Sequence, residues 1–202
     1  ALRLLVISGS ARKASLSRKL AAHAASKAQQ LGIEVESCDL RALDLPLYDG
    51  DIEEQVGVPE GAYTLQEVLA RNDGLLLVTP EYNGFPTPLV INAFDWLSRI
   101  GEAKRARNTG QTGVAVVAGK PAALLSASPG ALGGLRSANY LRQFLQMNFQ
   151  MLVLPKQYAL GRAHEAFDAQ GALKEAAADQ SVEAVLNAWA TLARALGRSS
   201  AA

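Results

Sequence analysis

The sequence has few side chains with which to build metal or nucleophilic chemistry. Cys38 is its single cysteine, and His23 and His164 are its two histidines. One thiol rules out an internal disulfide, and two distant histidines without a cysteine partner give no metal-ligand spacing. A reducing, cytoplasmic setting suits such a chain. Charge of one sign is also missing, since 20 Lys+Arg stand against 19 Asp+Glu. No strong field is therefore available for a nucleic-acid backbone or an anionic membrane, and a bound phosphate has to be gripped by local geometry. No apolar run approaches the ~20 residues of a membrane span, and residues 1–10 are too short and too soon broken by glycine for a signal peptide. Two nucleotide motifs are lacking as well, the dinucleotide GxGxxG and the Walker GxxxxGK[ST].

What is present is an ordinary globular balance. Hydrophobic residues make up 49% of 202 and charged residues 19%, enough apolar material for one α/β domain over residues 1–202. Residues 2–8 form a nearly continuous apolar run closed by Gly9, the pattern of a strand buried on both faces. A helix with Leu16, Leu20, Ala24, Ala28 and Leu31 on one stripe follows, stopped by Gly32. The remaining strands are expected at 33–40, 74–79, 122–127 and 151–154, with 114–118 a weaker candidate. Residues 41–63, rich in carboxylates, read as a long surface loop. Helices are expected at 64–72, from Leu89 to Ile100, around 134–150 and at 173–196. Strands alternating with amphipathic helices predict a doubly wound, five-stranded parallel sheet with right-handed crossovers. Ligands in such sheets sit at the carboxyl ends of the strands, and three unusual loops fall there: 9–18, 80–88 and 128–134.

The first of these loops, from Gly9 to Arg18, holds three hydroxyls and three cations between a strand and a helix. A helix N-terminus offers unpaired N–H groups to an anion. Ser10, Ser15 and Ser17 can donate to phosphate oxygens, and Arg12 can add a charge-assisted contact. By spacing alone, a helix merely capped by Ser15 or Ser17 fits equally well.

Taken in order, Gly-Ser-x-Arg-x-x-Ser, then Leu45-Pro46-Leu47-Tyr48-Asp49, then Thr79-Pro80-Glu81-Tyr82-Asn83-Gly84, then Asn92-Ala93-x-Asp95-Trp96-Leu97-Ser98 resemble the NADPH-dependent FMN reductase family. That family includes chromate, quinone and azo reductases and belongs to the flavodoxin-like superfamily. The resemblance extends to about residue 160. It implies a flavodoxin-like sheet of order 2-1-3-4-5 and FMN as cofactor. Ser10, Arg12, Ser15 and Ser17 would grip its phosphate. Pro80, Glu81, Tyr82, Asn83 and Gly84 would run along the ribityl chain and the ring edge, with Phe85 beside them. Ser128 and Gly130 would lie near that edge. Phe85, and Ile91 where a lysine is usual, depart from the family pattern; Phe85 can close over the ring, narrow the substrate pocket or pack at a subunit interface.

The resemblance further implies NADPH or NADH as hydride donor, and quinones, flavins, azo compounds or metal oxyanions as small-molecule acceptors. A homodimer or homotetramer is implied too. No side chain is nominated as catalytic, because a flavin itself accepts and releases hydride. The run from Arg99 to Arg107, with Lys104 and Arg105, is a candidate for the NADPH 2′-phosphate. On the helix around 134–150 a second apolar stripe, Tyr140, Phe144, Met147 and Met151, is left for another partner. Two other readings compete: a flavodoxin-type electron carrier, and a phosphate-binding regulator without flavin.

Overall fold

In a computed structural model, residues 1–103 and 107–197 are described. The elements run β1 Arg3–Ser8, α1 Leu16–Gln30, β2 Glu34–Cys38, α2 Gly50–Val56, α3 Glu60–Arg71, β3 Gly74–Thr79, α4 Pro88–Ser98, β4 Pro121–Ala127, α5 Leu135–Phe149, β5 Leu152–Val153, β6 Tyr158–Leu160 and α6 Ala176–Ala195. All strand pairs are parallel, in the order β2-β1-β3-β4-β5, with β6 also on β4. The expected order is thus present, and the fifth strand is split. β5 pairs with Pro121 and Ala122, and β6 with Leu125, Ser126 and Ala127. Pro155 lies in the gap and has no N–H for the ladder. There Arg142 holds the chain instead, donating to the Leu154 carbonyl at 2.5 Å and to Gln157 Oε1 at 2.7 Å.

Both sheet faces are covered, which is why β1 reads as an unbroken apolar run rather than an alternating one. Leu5 and Ile7 pack with α3, α4 and α5 on one side, and Leu4 and Val6 with α1 and α6 on the other. The strands are close enough at the start of β3 that only glycine fits at 74. A Cβ there would lie 2.3 Å from the Pro121 carbonyl and 2.8 Å from Trp189 Nε1, which itself donates to that carbonyl.

Two expectations are corrected. Residues 41–63 are not one long loop. A 3-10 turn Leu40–Leu43, α2 and the first turn of α3 lie there. The carboxylates that suggested a solvated loop include a cap, Asp49, which accepts from Asp51 N, and Asp39 just before the segment caps the 3-10 turn by accepting from Arg41 N. Residues 114–118 are not a strand either. Val117 and Ala118 donate back to the Val114 carbonyl, and Val116 and Val117 are buried by this turn instead of by a ladder. Among the described residues no helix is long and apolar enough to cross a membrane.

The Leu45–Tyr48 motif and the helix motif of α4 explain one another. Asn92 and Trp96 both donate to the Pro46 carbonyl, at 2.8 and 2.7 Å, and Asn92 Oδ1 accepts from Tyr48 N at 2.7 Å. Tyr48 in turn donates to Glu53, which pairs with Arg99. The strap between β2 and α3 is thereby docked on α4, whose N-terminus borders the carboxyl end of the sheet.

Candidate cofactor cleft

Where β1 ends, the chain is held tightly before it opens into the loop. Gly9 N donates to the Val78 carbonyl, and the Gly9 carbonyl accepts from Thr87 Oγ1 at 2.6 Å. Arg18 and Arg41 then buttress the loop from outside. Arg18 Nε donates to the Ser10 carbonyl and its Nη2 to Asp39, while Arg41 donates to the Ala11 carbonyl. These two cations therefore shape the loop. Arg12 is different: its side chain is exposed and lines the cleft.

The hydroxyls divide by role. Ser15 is the N-cap of α1, its oxygen accepting from Arg18 N at 2.9 Å. Ser10 Oγ accepts from Arg12 N at 3.3 Å. Ser17 sits one position inside the helix, only 1% exposed, and its Oγ has no hydrogen-bond partner among the described residues. A buried hydroxyl without a partner costs about 1–3 kcal/mol. Such a group beside the unpaired N–H groups of a first helical turn suits a ligand rich in acceptor oxygens. Of the two serines that spacing offered as caps, Ser15 caps the helix and Ser17 does not.

Residues 82–85 form a two-residue hairpin. Tyr82 and Phe85 exchange backbone hydrogen bonds at 2.9 and 3.0 Å, with Asn83 at φ 53° and Gly84 at φ 84°. Two successive positive φ values define the type I′ turn, for which Asn-Gly is the favoured pair. Glu81, just before it, turns its carboxylate onto α5. Oε2 accepts from Arg136 N at 3.2 Å and Ser137 N at 3.3 Å, and the carboxylate pairs with the Arg136 guanidinium. Burial pushes the Glu81 pKa up, but these partners outweigh it and hold the carboxyl below its usual range. Phe85 stacks on Tyr140 of α5, with ring centroids 4.4 Å apart and planes 13° from parallel.

Three loops meet in one cleft of about 210 Å³. From the first come Ser10, Arg12, Ser15, Leu16 and Ser17; from the second Pro80, Glu81 and Tyr82; from the loop after β4 Ala127, Ser128 and Pro129. Asn83, Gly84, Phe85 and Gly130 are outside that lining, the first three on the hairpin tip and Gly130 donating to Ser128 Oγ at 3.1 Å. The Arg99–Arg107 run offers less than its composition suggests. Arg99 pairs with Glu53, Arg107 pairs with Glu60 and lies over the Tyr63 ring, and Lys104 and Arg105 fall outside the described residues. The trans-capping role of Glu81 and the buttressing by Arg18 and Arg41 escaped sequence reasoning. Each depends on a partner 8, 30 or 55 positions away along the chain.

A family model for NADPH-dependent FMN reductase matches residues 2–165. A quinone reductase of Escherichia coli is 31% identical over 169 residues, covering 84% of this chain and 82% of its own. An NAD(P)H-dependent FMN reductase of Pseudomonas aeruginosa is 32% identical over 187 residues, covering 93% and 92%. Among solved structures, the flavoenzyme NAD(P)H:acceptor oxidoreductase FerB of Paracoccus denitrificans superposes with a TM-score of 0.78 at 26% identity, covering 96% of this chain and 98% of that one.

Proposed function

Since the chain belongs to the NADPH-dependent FMN reductase family, we propose that it is an NAD(P)H-dependent flavin oxidoreductase that binds FMN in this cleft and reduces small-molecule acceptors such as quinones. The observation that carries the cofactor assignment is Ser17, a buried hydroxyl with no partner among the described residues, in the first turn of α1 where three loops converge. The residues present fit the group. Ser10, Ser15 and Ser17 supply hydroxyl donors and Arg12 a guanidinium, a donor set matched to a phosphate monoester. The cleft is smaller than the ~300–1,000 Å³ of a complete small-molecule pocket, so it suits the phosphate end of a longer ligand. Tyr82 and the hairpin on the rim are the surfaces left for the flat end, and Gly84 keeps side chains off that backbone.

When bound, FMN supplies the hydride-accepting and hydride-donating chemistry that serine, arginine and tyrosine lack. Ser10, Ser15, Ser17 and Arg12 would hold the phosphate, and the hairpin backbone would lie beside the ring with one side left open to two successive partners. No acid or base side chain is required for that division of labour.

Self-association belongs to the same proposal. Of the expected second stripe, Met151 is buried and Phe144 packs against Phe94 and Phe149, whereas Tyr140 and Met147, two turns apart on α5, are 45% and 74% exposed and continue into Phe85 at 55%. An apolar strip of that kind beside a cofactor site suits a second copy of the chain.

Visible absorption of the purified protein, or of protein loaded with FMN, tests the central assignment. We expect a flavin spectrum that NADPH bleaches anaerobically and a quinone restores. A protein that stays colourless after incubation with FMN would refute it.

A further inference from the structure

The first turn of α5 is capped from a distance. Its own N-cap residue is Gly134, which has no side chain to accept from the helix. The four leading N–H groups of a helix need partners from elsewhere, and the positive end of the dipole attracts an anion. Glu81 fills that role from the flavin hairpin, as its hydrogen bonds to Arg136 N and Ser137 N show. Its side chain is only 9% exposed and also borders the cleft. A second tie lies at the other end of the hairpin, where Phe85 stacks on Tyr140. Between the two ties, a Cβ on Gly84 would come within 3.8 Å of the Arg136 guanidinium. The hairpin is thus pinned to α5 at both ends and lies over Arg136 in the middle.

We propose that Glu81 is a positioning residue: its carboxylate pins residues 80–85 to the N-terminus of α5, so that the hairpin backbone beside the cleft keeps one geometry for the flavin. The inference rests on the flavin reading of the cleft. It assigns the Glu81 carboxylate to α5 and leaves only the residue's backbone for the cofactor. An amide in place of the carboxylate can keep its oxygen on both N–H groups, but its NH2 then faces the Arg136 guanidinium, and the ion pair and the match to the helix dipole are lost.

The test compares wild type, Glu81→Gln and Arg136→Gln, each depleted of flavin and titrated with FMN and with riboflavin, followed by visible circular dichroism of the bound flavin. For Glu81→Gln we expect affinity to fall about tenfold, the scale of one charge-assisted hydrogen bond. The fall should be the same factor for both flavins, with an altered dichroic band, because the hairpin faces the part they share. Arg136→Gln, which keeps both backbone hydrogen bonds to Glu81, should move affinity and dichroism the same way by a smaller factor. Wild-type affinity and spectrum in Glu81→Gln would overturn the proposal, and so would a loss confined to FMN, which would place Glu81 at the phosphate. If Glu81→Gln does not fold, Arg136→Gln alone decides: no change in either readout overturns the assignment. A wild-type protein that binds neither flavin would fail earlier, at the reading of the cleft, and carry this inference with it.

Discussion

Ser17→Ala should move stability and flavin affinity in opposite directions. The hydroxyl is 1% exposed and has no hydrogen-bond partner among the described residues, so the flavin-free protein bears the cost of burying it. That cost is about 1–3 kcal/mol, and alanine also has the better helix propensity by roughly 0.5 kcal/mol. Ordered water in the emptied phosphate site can relieve part of the first figure, which places the expected gain near 1 kcal/mol. For a chain of this size such a gain raises Tm by about 2–4 °C. On the proposed reading the hydroxyl would donate to a charged phosphate in the loaded protein, a bond worth about 1.5–3 kcal/mol, so FMN should bind roughly 10- to 150-fold more weakly. Differential scanning calorimetry of flavin-free protein and a fluorescence titration with FMN measure the two halves separately. A variant that is less stable without flavin and binds FMN as tightly as wild type would refute the reasoning, since Ser17 would then be an ordinary packing residue.

Arg12→Ala should weaken FMN by about 1.5–3 kcal/mol and leave riboflavin unaffected, because on the proposed reading the guanidinium acts on the phosphate alone; equal losses for both flavins in the same titration would show otherwise. Gly74→Ala should destabilise by at least the ~1–3 kcal/mol of an overpacked core, read as a lower urea midpoint, since its Cβ would lie 2.3 Å from the Pro121 carbonyl. Asp179 on α6 binds His23 and Lys27 of α1 at 2.8 and 2.7 Å, and the Lys27 hydrogen bond, with that of His23, holds its carboxyl below the ordinary 3.8 against the opposing effect of burial. A depressed carboxylate contributes stability that is present above its unfolded pKa and lost as pH falls through the folded one. Wild type should therefore lose Tm more steeply than Asp179→Asn below about pH 4, having been the more stable at neutral pH. Parallel acid limbs in the two thermal profiles would show that this link contributes nothing. Met147→Lys should shift the protein to a smaller species in sedimentation velocity, its side chain being 74% exposed on the strip assigned to self-association.

Some of this molecule is determined by local sequence. β1, β3 and β4 are legible because residues buried on both faces leave continuous apolar runs, and β3 has the expected bounds at 74–79. The doubly wound parallel architecture follows from alternation with amphipathic helices, and the strand order from the family resemblance. The Asn83-Gly84 turn is legible too, because positive φ at two successive residues is a local demand that this pair satisfies. The α2 segment was missed because Asp49 and Glu53, which cap it and pair with Arg99, have the composition of a solvated loop until α4 is placed beside them.

The roles of the site residues were decided only by the tertiary structure. Ser15 and Ser17 are the same residue type two positions apart. Ser15 finds an N–H of its own helix, while Ser17 is buried at the border of the cleft with no partner among the described residues. Of the loop's cations, Arg18 is drawn off by Asp39 and the Ser10 carbonyl, which leaves Arg12 to line the cleft. The sequence determines which groups can donate, accept or carry charge. Which of them stay uncommitted, and so available to a ligand, depends on contacts between distant segments that exist only once the sheet has brought its carboxyl ends together.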